Sequence, residues 1–282
     1  MEKNNFNIKL FFAVLFFVST ALSAQTLKLQ SIPSDKLQVG FSFEKPFYAS
    51  SINTSALNGN YQLSANLPLS DKINLVFNFP YINTNYQVDY GFGKFDYNKS
   101  GIGNIFIGAQ MKAGSQTEVK SFFTFGIFLP SADEQVSLNG FLSSYYDFQK
   151  YIPNSLGFYF NYAYHKLNAE GFSYGLELGP DLLIPTKGDN TEDEFLMHYG
   201  IISGYQINKL ALNIEFVGVM MISEKIDNFS DRFVNMLNFG VQWKETAVIP
   251  RIYYMIYLRQ EMRQMIDGTL GIGVIVPISI YK

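Results

Sequence analysis

Few side chains in this sequence are suited to proton-transfer chemistry. The 282-residue chain has two histidines, His165 and His198, and no cysteine. A histidine-based catalytic site needs a serine or carboxylate held beside the ring, and no pairing motif surrounds either histidine. The lack of cysteine excludes thiolate nucleophiles, disulfides and Cys-ligated zinc. The sequence therefore predicts no catalytic residue, no metal site and no cofactor. A hydrolase acting through a histidine is the weakest of three functional hypotheses.

The elements that carry the remaining polar side chains show a period of two. In the segment 103–114, apolar residues occupy the odd positions 105 to 113, whereas Asn104, Gln110 and Lys112 occupy even positions, with Phe106 as the exception. Such alternation indicates a strand with one apolar and one polar face. The pattern recurs in thirteen candidate strands. The weaker ones are 37–43, 138–148 and 195–207.

The strand lengths and connections predict a closed transmembrane β-barrel. Segments of about 10 residues with alternating polarity are typical of membrane-crossing strands, and no segment has sustained helical periodicity. Connections at 70–72, 208–209 and 244–245 are short, whereas 83–101, 185–194 and 223–231 are long. Because single-chain bacterial barrels have even strand numbers, we predict an all-β, closed antiparallel barrel of 12 strands, with 14 as the alternative.

The composition favours a membrane barrel over a soluble β-sandwich. Aromatic residues make up 17% of the chain and charged residues only 16%. The polar faces carry Asn, Gln, Gly and Ser rather than the Lys, Glu and Thr typical of a solvated sheet. With a net charge of -3, the chain does not have the excess of basic residues that is typical of a nucleic-acid-binding protein. The apolar faces are therefore predicted to contact lipid, and the polar faces to line the lumen.

The N-terminus has the pattern of an export signal. Lys3 and Lys9 flank an apolar stretch at 10–18, and small residues dominate 19–24. We predict a signal peptide at 1–24 and one barrel domain at 25–282, in the cell outer membrane of a Gram-negative bacterium. Residues 25–36 are expected to enter the lumen and plug it. The expected partners are outer-membrane lipid, lipopolysaccharide and the barrel-insertion machinery.

Several short motifs resemble one family of outer-membrane barrels. They are Phe79-Pro-Tyr81, Gly101-Ile-Gly-Asn104, Leu129-Pro-Ser131, the turn at 205–209 with Glu215, and the closing strand 271–277. With these motifs the chain resembles the transporter-like barrel family associated with the meta-cleavage pathway of phenol degradation. The resemblance spans roughly residues 60–280 and departs from the family where Asn104 replaces a common Asp. It implies a 12-strand barrel that passes small hydrophobic or aromatic compounds.

Polar residues on the predicted lumen face are the candidates for selectivity. They are Glu177, Glu215, Arg251, His198 and Asn213, and we predict that Glu215 pairs with Arg251. Both histidines are expected near the outer ends of their strands. Aromatic residues at strand ends are predicted to anchor the barrel at the membrane interfaces: Tyr81, Tyr205, Trp243 and Tyr281.

Two further functional hypotheses follow from the barrel. The first is a diffusion channel for small hydrophobic or aromatic molecules. The alternative is a structural or surface-interaction barrel with a plugged lumen and ligand-binding outer loops.

Overall fold

We analysed a computed structural model of the chain. It describes residues 26–28, 31–48, 52–89, 93–115, 119–166, 171–187, 192–223, 228–244 and 247–279. The predicted signal peptide and Tyr281 lie outside these ranges.

The described chain is built mainly from strands. In chain order the strands are β1 Leu37–Tyr48, β2 Ile52–Thr54, β3 Gly59–Pro68, β4 Ile73–Asp89, β5 Lys94–Ile102, β6 Phe106–Ser115, β7 Val119–Phe128, β8 Ser155–Lys166, β9 Gly171–Pro185, β10 Glu194–Ile207, β11 Leu210–Met221, β12 Phe233–Trp243, β13 Ile249–Tyr257 and β14 Ile266–Ile278. The helices are α1 Glu134–Ser143 and α2 Gln260–Met265, with 3₁₀ helices at Tyr145–Lys150 and Phe229–Arg232.

The strands form a closed antiparallel barrel with twelve positions in its wall. Neighbouring strands pair in sequence order, and β1 closes the ring against β14. β5 and β6 share one position in the wall. The first part of β4, residues 73–78, pairs with β6, and the second part, residues 81–89, pairs with β5. The short β2 pairs only with the outer end of β4. The predicted 12-strand barrel is confirmed.

The orientation of side chains follows the predicted alternation. In β6, Ile107 and Met111 are exposed on the outside, whereas Gln110 is buried inside. The outward residues of β11, such as Leu212 and Ile214, are likewise exposed. Lipid can cover this apolar exterior, and barrel closure leaves no free sheet edge.

One end of the barrel carries tight turns. Asn208, at the turn between β10 and β11, has a φ of 52°, a left-handed conformation that Asn tolerates well. The N-terminal end of β1 and the C-terminal end of β14 pair at this same end. In outer-membrane barrels the short turns face the periplasm, so the opposite end, with the long connections, faces outward. Within the described residues, no helix has the length and apolarity needed to cross a membrane.

Two segments differ from the sequence-based expectation. The predicted strand at 138–148 is instead the end of α1 and most of a 3₁₀ helix. Its alternating aromatics face the inner wall of the barrel rather than lipid. The predicted long loop at 83–101 is instead the paired ends of β4 and β5.

Candidate functional site: a lumen filled by two segments

The connection between β7 and β8, residues 129–154, folds into the outer half of the lumen. Three of its aromatic side chains, Tyr145, Tyr146 and Phe148, are buried in one apolar cluster. The wall contributes the rest of this cluster: Leu183, Leu196, Ile202, Val217, Val219, Val234, Met236, Met255, Tyr257 and Ile266. The space between this connection and the strands β9 to β14 is therefore largely apolar, unlike a water-filled pore.

Asn104 fixes this inward connection to the wall. Its Nδ2 donates to Gln149 O at 2.9 Å and to Ile152 O at 2.6 Å. Its Oδ1 accepts from the backbone N of Ser131 at 3.0 Å and of Ala132 at 2.9 Å. An aspartate has no N–H donors, so an aspartate here could not make the two donated bonds.

The glycines beside Asn104 allow the close approach of the inward connection. A Cβ on Gly101 would lie 2.7 Å from Asp133 Cβ, and one on Gly103 would lie 2.4 Å from Lys150 O. Contacts this short require the backbone to shift. Gly101 and Gly103 therefore leave the space that the inward connection occupies.

The N-terminal segment enters the lumen from the periplasmic end. The Glu215 carboxylate accepts hydrogen bonds from the backbone N–H groups of Leu27 and Lys28. Arg251 Nη1 donates to Leu27 O at 3.3 Å, and Gln242 Nε2 donates to Thr26 O at 3.0 Å. The expected entry of this segment into the lumen is confirmed for the described residues 26–28.

Further contacts, nearer the periplasmic end, hold the part of this segment that precedes β1. Gln110 Nε2 donates to Ser31 O at 2.9 Å, and Asn74 Nδ2 donates to Ser34 O at 2.8 Å. The wall side chains therefore bind the segment mainly through its backbone carbonyl groups.

A buried charge network joins the two segments. Lys28 Nζ forms ion pairs with Glu44 and with Asp147 Oδ2, the latter at 3.0 Å. Lys150 Nζ lies 2.8 Å from Asp147 Oδ1 and donates to Gln62 Oε1 at 2.8 Å. Burial opposes ionisation of Asp147, but the two ammonium groups outweigh it and hold its pKa well below the usual value.

The histidines occupy opposite ends of the lumen. His198, near the outer end, has Nδ1 2.8 Å from Asp181 Oδ2 and Nε2 2.9 Å from Tyr146 O. His165 instead lies next to the periplasmic end of β8, so the expectation that both histidines lie near outer ends was wrong for His165. Its Nε2 is 3.5 Å from Glu177 Oε1, and Phe122 stacks on its ring.

The predicted lumen residues face inward, but they do not converge on one site. Glu215 and Arg251 both contact the N-terminal segment and meet through Leu27 rather than as a direct pair. Glu177 accepts from Asn161 Nδ2 at 2.9 Å on another part of the wall. His198 supports the inward connection, and Asn213 is buried on the inner face of β11.

The sequence pattern did not single out Lys28, Glu44, Asp147 and Lys150, which form the network between the two segments, or Asp181, which faces His198. Glu44 and Asp181 continue the alternation of β1 and β9 by one step beyond the predicted segments, so longer windows would have included them. Asp147 and Lys150 lie in a helical connection, where alternation carries no information.

The predicted aromatic anchors face outward where they are described. Tyr81 and Trp243 are exposed, and Tyr205 is half-buried on the outside of β10. Trp243 and Tyr205 lie near the short-turn end, whereas Tyr81 marks the outer edge of the apolar stretch of β4.

A small cavity lies between the described parts of the two segments and the wall. A polar cavity of about 100 Å³ lies beside β1, β3 and β4, against Lys28, Lys150 and Arg251. It has room for about three water molecules.

Comparisons with known proteins relate the chain to solved barrels. No family model matches it, and no curated protein matches it. An outer membrane channel from Pseudomonas putida F1 has a TM-score of 0.62 and 11% identity, covering 91% of this chain and 100% of that one. The NanC porin has a TM-score of 0.54 and 9% identity, covering 85% of this chain and 98% of that one. The fold and its apolar exterior confirm the outer membrane as the location of the protein.

Proposed function

We propose that this protein is an outer-membrane channel that passes small apolar or aromatic molecules by diffusion. The observation that carries the proposal is the apolar cluster in the outer half of the lumen, where wall side chains of β9 to β14 are covered by the rings of Tyr145, Tyr146 and Phe148. A solute that enters when the inward connection moves would meet this surface. Burial of apolar area there would favour an aromatic solute over a sugar.

The periplasmic half of the lumen would be crossed next by a solute. There the wall is polar: Asn66 and Gln110 are buried, and Gln110 Nε2 donates to Ser31 O of the N-terminal segment. A solute released from the apolar half would cross a hydrated region before it reaches the periplasm. Passage requires both filling segments to move, because both occupy the lumen in the described conformation.

The test compares two anions of similar size in proteoliposomes. At pH 7.5, 4-hydroxybenzoate and glucuronate are both ionised, so bare lipid passes either slowly. We expect faster uptake of the aromatic anion, and a larger increase for it than for glucuronate in a Tyr146→Ala/Phe148→Ala variant. Equal uptake of the two anions would refute the aromatic preference but leave a channel.

A second candidate is a closed barrel that acts through its outer surface. The filled lumen favours it, since the two segments are held by many specific contacts. Under this function neither anion would enter at any rate above that of empty liposomes, although a band shift on heating shows a folded barrel. A hydrolase is a weaker candidate, because Asp181 and Tyr146 O already face both ring nitrogens of His198.

A further inference from the structure

The outward face of β4 changes character at Tyr81. From Ile73 to Tyr81 its outward residues are apolar: Ile73, Leu75, Phe77, Phe79 and Tyr81. The next outward residues are Asn83, Asn85 and Gln87. The partner strand changes at the same level, since Tyr81 pairs with Ile102 and the pairs beyond it are Asn83 with Ser100, Asn85 with Asn98 and Gln87 with Asp96.

This polar extension lies outside the hydrocarbon layer. The stretch 73–81 has nine residues, and a tilted membrane-crossing strand needs about 9–11. The eight further steps to Asp89 add about 26 Å of strand at 3.3 Å per residue. They extend from the barrel end that carries the long connections, so this face stands directly above the outer leaflet.

The outward face forms a shallow polar groove. β2 adds Asn53 beside Gln87, and the groove has a volume of about 420 Å³. Gln87 Nε2 donates to Asp96 Oδ1 at 2.6 Å, and the side chains of Asn53, Asp96 and Asn98 are exposed. Four carboxamides, those of Asn53, Asn85, Gln87 and Asn98, line the groove together with the Asp96 carboxylate, and each carboxamide both donates and accepts hydrogen bonds.

The opposite face holds the extension in place. Tyr86 and Tyr97 stack with ring centroids 5.2 Å apart, and the Tyr97 hydroxyl donates to Gln135 O in α1. Lys45 of β1 holds the end of β2, since its Nζ donates to Thr54 Oγ1 at 3.1 Å and to Ser55 O at 2.6 Å. The groove is therefore preorganised, which lowers the entropy lost on binding.

We propose that this groove binds the core saccharide of a neighbouring lipopolysaccharide molecule. The groove continues the lipid-contacting face of the same strand upward, and above the lipid tails of the outer leaflet lie lipopolysaccharide sugars. Adjacent sugar hydroxyls pair well with carboxamides, which offer donors and acceptors together. Protein partners are typically held through aromatic or Arg anchors, and the described outward side chains beyond Tyr81 include neither. Saccharide binding at this groove does not depend on whether the lumen conducts.

The experiment measures binding of purified lipopolysaccharide to the folded protein in detergent. Full-core lipopolysaccharide is compared with a deep-rough form that lacks most core sugars. The test variant is Asn85→Ala/Gln87→Ala/Asn98→Ala, and the matched control is Lys99→Ala, an exposed residue on the other face of the same hairpin. A band shift on heating verifies folding of each protein.

We expect the unmodified protein to bind the full-core form at least tenfold more tightly than the deep-rough form. The triple variant should lose this difference, whereas Lys99→Ala should keep it. The released core oligosaccharide, which lacks lipid, should compete with the full-core form. Equal binding of both forms by the unmodified protein, or no competition by the oligosaccharide, would overturn the proposal and assign the contact to lipid alone.

Discussion

The Lys28 ammonium group and the Asp147 carboxylate, 3.0 Å apart, connect the two segments that fill the barrel. Lys28 belongs to the segment that enters from the periplasmic end, and Asp147 to the connection that enters from outside. Glu44 on β1 completes the contact with Lys28. Because one buried cation serves both segments, displacement of either one weakens the hold on the other.

We expect Lys28→Met to open the lumen. Removing one partner of a buried ion pair costs about 3–5 kcal/mol, because Glu44 then lacks its cation and Asp147 keeps only Lys150. A shift of even 1.4 kcal/mol changes an equilibrium about tenfold. Ion conductance in planar bilayers should rise at least tenfold.

Lys36→Met is the matched control for that change. Lys36 is an exposed cation just before β1, and its side chain does not contribute to the charge network. It should leave conductance unchanged. If Lys28→Met and Lys36→Met conduct alike, the charge network does not hold the lumen closed.

Asn104→Asp should loosen the inward connection without opening the wall. The change keeps the side-chain shape but removes the two donors to Gln149 O and Ile152 O, leaving a carboxylate beside carbonyl oxygens. A buried hydrogen-bonding group left unsatisfied costs about 1–3 kcal/mol. The free energy of unfolding in urea should fall by that amount, and a protease added from outside should cut the connection faster.

Asn98→Asp makes the same chemical change at an exposed site and serves as the control. It should alter neither the unfolding midpoint nor the rate of cleavage. Equal stability of Asn104→Asp and the unmodified protein would show that the four Asn104 hydrogen bonds do not position the connection.

Glu215 is expected to act through the N-terminal segment rather than on the solute. Glu215→Ala should raise conductance, because the backbone N–H groups of Leu27 and Lys28 lose their acceptor. In a chain that lacks residues 26–34, conductance should already be high, and adding Glu215→Ala should change it less than twofold. A large further change, or a reversal of ion selectivity, would assign Glu215 to the permeation path itself.

The wall of the barrel could be predicted from the sequence because every strand must present apolar side chains to lipid at alternate positions. Residues such as Ile107, Ile214 and Phe239 must face lipid, so alternation reveals the strands and also the inward face of Glu215 and Arg251. The number of strands needed a further rule, since thirteen candidate strands became 12 only because single-chain barrels have even strand numbers.

The filling of the lumen was harder to predict from sequence. Tyr146 and Phe148 have the spacing of a strand, whereas Tyr145 and Phe148 have that of a helix, and only the apolar wall opposite them decides where they pack. The Lys28–Asp147 contact joins residues 119 positions apart, which no local pattern reveals. For the same reason, Glu215 and Arg251 were expected to pair directly, whereas the backbone of Leu27 lies between them.

Gly240 offers a steric test of closure that removes no charge. A Cβ added there would lie 2.6 Å from Leu27 Cδ1 and 2.8 Å from Tyr253 Cβ. In Gly240→Ala the N-terminal segment is the more movable neighbour, because the wall strand is held by its ladder. We therefore expect Leu27 to be displaced and conductance to rise several-fold.

Combining Gly240→Ala with Leu27→Ala separates the two neighbours. Leu27→Ala removes both Cδ atoms but keeps the backbone N–H that Glu215 accepts, so the double variant should return toward the closed conductance. The contact with Tyr253 is the same in both variants. If the double variant conducts as much as Gly240→Ala alone, strain in the wall at Tyr253 opens the barrel, and the fit of Leu27 against Gly240 is not what closes it.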